Sequence, residues 1–249
     1  MNESMFKVID EELSVMRIEL VKLTLETIKQ PFNISNLKDY PNFLLRDSII
    51  YRLFSMRFHL YLLNDIQENI IKSMKMKFPD EDTKLFLLGR DQMLYIFDDI
   101  VFGLCSLLDY LGNMIGLVYI GQHKANIKWS GCIKSCRDKN NLLNNYSISK
   151  YLIEQDKLWV SDLYCYRSRL IHDRKDSVGA KRVITFGNET FNVNFNVGKP
   201  TMFLNIIKEY SEKNDVDNQS IIDIAFWLMK KNLSVIKDVV ETIRMDKIE

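Results

Sequence analysis

Phe6, Ile9, Leu13, Met16, Leu20 and Leu23 recur at alternating three- and four-residue steps, the spacing of a single apolar stripe on a helix. Such a stripe can pair with a helix of a second subunit, but packing on the chain's own core is the simpler expectation. A break at PFNISNLKDYPN, residues 31–42, precedes a second long pattern over residues 43–76 that is apolar around much of its circumference. The charged segment KFPDEDTK ends it, because Pro79 prevents smooth continuation. A third pattern, from about Leu85 to Ile120, is the expected centre of the core. Short helical stretches follow around residues 129–138 and 147–153, with the loop chemistry of KNNLLNN between them. A fifth helix is expected over residues 155–174, where Trp159, Leu163, Tyr166 and Leu170 define its buried face.

The period then changes from helical to alternating. Phe191, Val193, Phe195 and Val197 alternate with asparagines, and Gly187-Asn188 separates them from the run Arg182–Phe186, which predicts a β-hairpin with one apolar face. A last pair of helices follows, the longer one carrying Ile222, Ala225, Phe226, Met229, Leu233, Ile236, Val240 and Ile243 along one stripe. The expected class is mainly α, a helical bundle with a β-hairpin insertion near residues 181–197. No repeat or domain boundary is evident, so residues 1–249 are expected to form a single domain. The N-terminal helix, residues 1–30, and the hairpin with the C-terminal helices, residues 181–249, would be elaborations of it.

Composition narrows the partners. Lys+Arg 34 against Asp+Glu 33 leaves a net charge of +1, so no global field draws the molecule onto nucleic acid or anionic lipid, and any RNA contact has to use a local patch. Few glycines and prolines, 9 and 4, agree with helices rather than a turn-rich sandwich. The four cysteines lie inside apolar or helical patterns and the first residues lack the order of a secretory signal, so a cytoplasmic location is expected. The segment IVFGLCSLLDYLGNMIGLVYIG, residues 100–121, is long enough to span a bilayer. Asp109 at its centre would cost roughly 3 kcal/mol there. A buried central helix, with Gly112 and Gly116 permitting close packing, is the better reading, and no membrane partner is expected.

The candidate chemistry lies in YCYRSRLIHDRKDS, residues 164–177. At about 100° per residue, Arg167 and Arg169 fall near opposite edges of the buried face and His172 points away from the core. Arg169 and His172 are about 60° apart and can meet, whereas Arg167 and His172 are about 140° apart and cannot converge on one regular helix. Unwinding near His172, or a second copy of the helix across a two-fold axis, would bring them together.

Arg167-Ser168-Arg169-Leu170-Ile171-His172 resembles the signature of the HEPN superfamily (higher eukaryotes and prokaryotes nucleotide-binding domains), an arginine followed by a polar residue and then a histidine after four to six residues. The preceding apolar helix, with LCSLLDYLGNMIGLVY, is similar to the helix that packs beside the motif in bacterial members. The resemblance covers about residues 43–175. It implies a helical bundle that dimerises with both motifs at the interface. In active members this is a metal-independent endoribonuclease, common in toxin–antitoxin and phage-defence systems, so an antitoxin or defence-complex partner is an expected possibility alongside RNA or a nucleotide. Serine stands where asparagine is commonest. Arg174 stands where a subgroup controlled by partner nucleotidyltransferases has tyrosine, so that control is not implied.

On this reading Arg167 and His172 are catalytic, Ser168, Arg169 and Arg174 bind substrate, and Asp109 is a supporting carboxylate whose expected partner is an arginine of the motif helix. No metal or cofactor is called for. An imidazole, which titrates near neutral pH, can take the proton of a ribose 2′-hydroxyl, and a guanidinium can stabilise the phosphoryl charge with a fork that lysine lacks. The competing readings are a non-catalytic nucleotide-, RNA- or protein-binding module of the same fold, an unrelated helical dimer, and a helix C-terminus merely solvated by its cations.

Other clusters are weaker. Arg52 and His59 fit the same spacing, but Leu53, Phe58 and Leu60 around them suggest a core or boundary histidine. Cys132 and Cys136 have one-turn spacing without a second ligand pair, and His123 completes no zinc pattern, so two half-buried thiols are expected. Glu81, Asp82, Asp98 and Asp99 suggest a solvated helix edge.

Overall fold

A computed structural model describes residues 3–27, 41–76, 82–121, 127–172, 176–186, 191–213 and 220–247. It is mainly helical, in the order α1 (Glu3–Thr27), α2 (Pro41–Met76), α3 (Asp82–Ile120), α4 (Trp129–Arg137), a 3₁₀ turn (Leu142–Asn145), α5 (Ser147–Gln155), a π-helical turn (Asp156–Val160) and α6 (Ser161–His172). Strands β1 (Ala180–Phe186) and β2 (Phe191–Val197) follow, then α7 (Thr201–Ile206), α8 (Lys208–Lys213) and α9 (Ile221–Lys247). The last expected pair of helices is therefore two short helices and a long one, because the chain leaves helical geometry at Ile207 between α7 and α8. The helix expected over 155–174 is divided as well, its first turn being the π-helical segment. Gly187-Asn188 and most of the breaks at 31–42 and 77–84 lie outside the described residues.

The chain partitions into two compact units. One comprises residues 1–56, 103–161 and 229–249, and the other residues 57–102 and 162–228.

In the first unit the α1 stripe is buried in the chain's own core, from Phe6 through Ile9, Leu13, Met16 and Leu20 to Leu23. Its neighbour is α9, whose Leu233, Ile236, Val240 and Ile243 are buried and whose Arg244 bonds Glu19 at 2.6 Å and Glu26 at 2.9 Å. The end of α9 is fixed by polar bonds: Asp246 accepts the Tyr119 hydroxyl at 2.8 Å and the Ser147 hydroxyl at 2.7 Å. On α3, a Cβ at Gly112 would come within 3.3 Å of the Trp129 backbone, and one at Gly116 within 3.2 Å of Ile127. The two glycines thus mark a close approach, as expected. The helix from Thr83 to Ile120 is long and apolar enough to cross a membrane, and 72% of its most apolar window is buried inside the fold.

The second unit is built around the antiparallel β1–β2 hairpin, with Ala180 opposite Val197 and Phe186 opposite Phe191. The alternation sorts as its period requires: Val193, Phe195 and Val197 are buried while Asn192 and Asn194 are exposed. Gln67 of α2 donates to the Phe195 carbonyl at 2.7 Å, and Phe86 of α3 meets the Phe195 ring edge-on at 5.5 Å. The start of α9 carries a reciprocal cap, in which Ser220 N–H donates to Asp223 at 2.7 Å and Asp223 N–H to the Ser220 hydroxyl at 3.3 Å.

Candidate functional site

Helix α6 owes its position to two aromatic anchors. Tyr166 is fully buried, with ring centroids 5.2 Å from Phe203 of α7 and 6.5 Å from Phe97 of α3, and Phe203 continues the edge-to-face chain to Tyr210 of α8 at 6.0 Å. Leu163 is buried one turn earlier, whereas Leu170, in the last turn, is only half-buried. This fixes the rotation of the helix. Ser168, Arg169 and His172 are exposed and Arg167 is half-buried at the edge.

The helix is regular through His172, so the first route to convergence, unwinding ahead of the histidine, is absent within Ser161–His172. Arg167 and His172 remain about 140° apart on it. The Arg167 guanidinium lies over the Phe102 ring at 6.0 Å, the outer range of a cation–π contact, and its buried Nε has no hydrogen-bond partner among the described residues. A buried guanidinium donor left without an acceptor costs on the order of 1–3 kcal/mol. Arg174 lies outside the described residues.

Two carboxylates that sequence reasoning did not single out hold the surroundings of α6. Asp176 is 4% exposed, and it accepts the Tyr166 hydroxyl at 3.1 Å, the Ser177 N–H at 2.6 Å, the Met202 N–H at 2.8 Å and the Phe203 N–H at 3.1 Å. It therefore ties the chain just beyond α6 to the first turn of α7, whose free N–H groups need acceptors. Burial, and then the negative charges of Asp176 and Asp98, push the Tyr166 hydroxyl far above its ordinary range, so Tyr166 stays a neutral donor. At the other end, burial raises the Asp162 carboxyl, opposed by the hydrogen bond it accepts from the Lys208 main chain at the start of α8. The Asp-Ser pair in KDS is a capping signal, but the helix it caps begins 25 residues later in the chain, beyond the reach of local pattern.

Asp109 is half-buried, and one of its partners is the main chain of α4: its Oδ1 accepts the Trp129 N–H at 2.9 Å. The Trp129 indole in turn donates to Asp156 at 3.0 Å, where Arg137 also binds at 3.0 Å. Asp109 thus supports α4.

The remaining clusters behave as follows. His59 is half-buried, a boundary residue, and its buried Nδ1 has no hydrogen-bond partner among the described residues. Cys132 and Cys136 are fully buried rather than half-buried. The hydrogen bond from Cys132 lowers the Cys136 thiol, while the same bond and burial raise Cys132. Among the described residues no three His, Cys, Asp or Glu side chains gather where a metal ion could be held. Asp98 is half-buried and its charge acts on Tyr166, while Asp99 is exposed.

No family model, no curated protein and no solved structure matches the chain.

Proposed function

We propose that this chain is a HEPN-like, metal-independent endoribonuclease that acts as a homodimer in the cytoplasm, with Arg167 and His172 drawn from two α6 helices. The observation that supports this reading best is Arg167: half-buried and oriented over Phe102, it keeps a buried Nε–H with no acceptor among the described residues, beside the exposed Ser168 and Arg169. Its fork suits a phosphodiester oxygen. His172, exposed at the last helical residue, is reachable by a polymeric substrate. Because a regular α6 keeps the two residues apart, the reading requires the second copy.

In the reaction His172 removes the ribose 2′-hydroxyl proton, the 2′-oxygen attacks the adjacent phosphorus, and the 5′-oxygen leaves with a proton from His172 of the other copy. Arg167 stabilises the charge on the non-bridging oxygens, and Ser168, Arg169 and Arg174 hold the backbone. The products are a 2′,3′-cyclic phosphate and a 5′-hydroxyl. An antitoxin or defence-complex partner covering Ser168, Arg169 and His172 would silence it.

The test is incubation of purified protein with mixed RNA in EDTA, comparing wild type with His172→Ala and Arg167→Ala. Cleavage by wild type alone, leaving cyclic phosphate ends and sparing DNA, is expected. RNA binding without cleavage would replace the enzyme with a binding module.

A further inference from the structure

The buried stripe of α1 has a counterpart on the opposite side of the helix. Val8, Glu11, Val15, Ile18, Lys22 and Leu25 also follow alternating three- and four-residue steps, displaced by two residues, or about 200°, from the buried set. Four of these six are apolar, yet Val8 is 38%, Val15 58%, Ile18 54% and Leu25 53% exposed. One such residue is ordinary, but a helical seam of them is an interaction face without its partner.

A groove of about 630 Å³ runs beside this seam, between α1 and α9. Met16, Leu233 and Val240 form its apolar floor, and Val15 stands on its rim. Its walls differ in charge. On α1 they carry Glu11, Glu12 and Glu19, and on α9 Lys230, Lys237 and Arg244 with one acidic residue, Glu241. Arg244 is already committed to Glu19 and Glu26, and Lys237 reaches Glu241 only at 4.0 Å. Among the described residues Glu11, Glu12 and Lys230 make no ion pair.

We propose that this face binds a second copy of the same chain, about a two-fold axis that runs along the helices. Charge selects both the occupant and the axis. A two-fold across the helices would set α1 against α1 and glutamate against glutamate. A two-fold along them sets α1 of one copy against α9 of the other at the same height, so that Glu11 and Glu12 meet Lys230 and Lys237 twice over. The Val15, Ile18 and Leu25 seam then closes against the other copy. This contact uses residues of the first compact unit only and is independent of any association through α6.

Cross-linking reads the geometry directly. One preparation of the full chain carries Glu12→Cys and another Lys237→Cys, each with the exposed Cys165 changed to Ser, and the two are oxidised separately and mixed. A covalent dimer from the mixture alone is expected. A dimer from either preparation by itself, or none from the mixture, would overturn the proposal, and a dimer made through α6 alone gives no product here. Sedimentation supplies the second arm. Glu11→Lys with Glu12→Lys, or Lys230→Glu with Lys237→Glu, should halve the mass of the wild-type assembly, and all four together should restore it. A mass that ignores either single-wall reversal would equally defeat the assignment.

Discussion

The Tyr166 hydroxyl donates to the Asp176 carboxylate at 3.1 Å, joining the middle of α6 to the residue that caps α7. Both groups are buried, and both α6 and α7 depend on the same oxygen atoms. Asp176 accepts two main-chain bonds from α7 and one from Ser177 as well as the phenol, so truncation leaves four donors unsatisfied at once. Asp176→Ala is expected to cost about 3 kcal/mol or more, and Tyr166→Phe about 1 kcal/mol, because the latter removes one donor and keeps the ring packing. Urea unfolding of the two variants measures this. Equal losses would mean that the α7 bonds contribute nothing.

His172 and Arg169 should behave in the opposite way. Both are exposed, neither makes a hydrogen bond or ion pair among the described residues, and substitutions at such positions ordinarily fall within about 0.5 kcal/mol of neutral. His172→Ala is expected to leave the unfolding midpoint unchanged while abolishing RNA cleavage, and Arg169→Ala to weaken RNA binding with a shallower salt dependence. Cleavage and unfolding measured on the same preparations separate a site from a scaffold. A His172→Ala protein that retains wild-type cleavage would remove the histidine from the chemistry.

Local pattern carried most of the helices and the hairpin, and long-range polar bonding carried what it did not. The stripe from Phe6 to Leu23 and the alternation from Val193 to Val197 each show their burial in the order of residues, because one face of each element is satisfied by the core. Asp176 could not be read that way, since its acceptor role depends on Met202 and Phe203. The π-helical turn Asp156–Val160 was equally hidden: it buries both Trp159 and Val160, which a regular spacing would place on different faces. For the candidate site, exposure of His172 and the edge position of Arg167 followed from helical angles alone, but the unused Nε of Arg167 and its approach to Phe102 are tertiary facts.

Gly112 tests the close approach of α3 and α4. A Cβ there would sit 3.3 Å from the Trp129 Cα and 3.4 Å from the Cys132 Cβ, so the obstacle includes backbone. Alanine gains about 1 kcal/mol of helix propensity, which the crowding offsets, and Gly112→Ala should be near neutral. Gly112→Leu has no such compensation and should cost about 1–3 kcal/mol by displacing Trp129, whose N–H would also leave Asp109. Near-ultraviolet circular dichroism of the tryptophans would report that displacement, and an unchanged spectrum with unchanged stability would place α4 farther from α3.

Four tyrosines, three of them buried and Tyr151 half-buried, give the fold an alkaline limit. Burial, reinforced by Asp246 at Tyr119, Asp238 at Tyr151, Asp176 at Tyr166 and Asp223 at Tyr210, raises all four phenols above their ordinary value. In the unfolded chain they ionise near pH 10, while in the fold they hold their protons. The unfolded state therefore binds fewer protons above that pH, and stability falls as pH rises. The stabilisation is complete below about pH 10 and declines progressively above it, so unfolding midpoints should be flat with respect to these groups from pH 7 to 9 and drop beyond pH 10. Tyr151→Phe removes one such phenol and leaves Asp238 without its 2.7 Å donor, so it should lower stability at pH 8 but reduce the loss between pH 8 and 11. A slope equal to wild type across that interval would show that Tyr151 ionises as easily in the fold as in the unfolded chain.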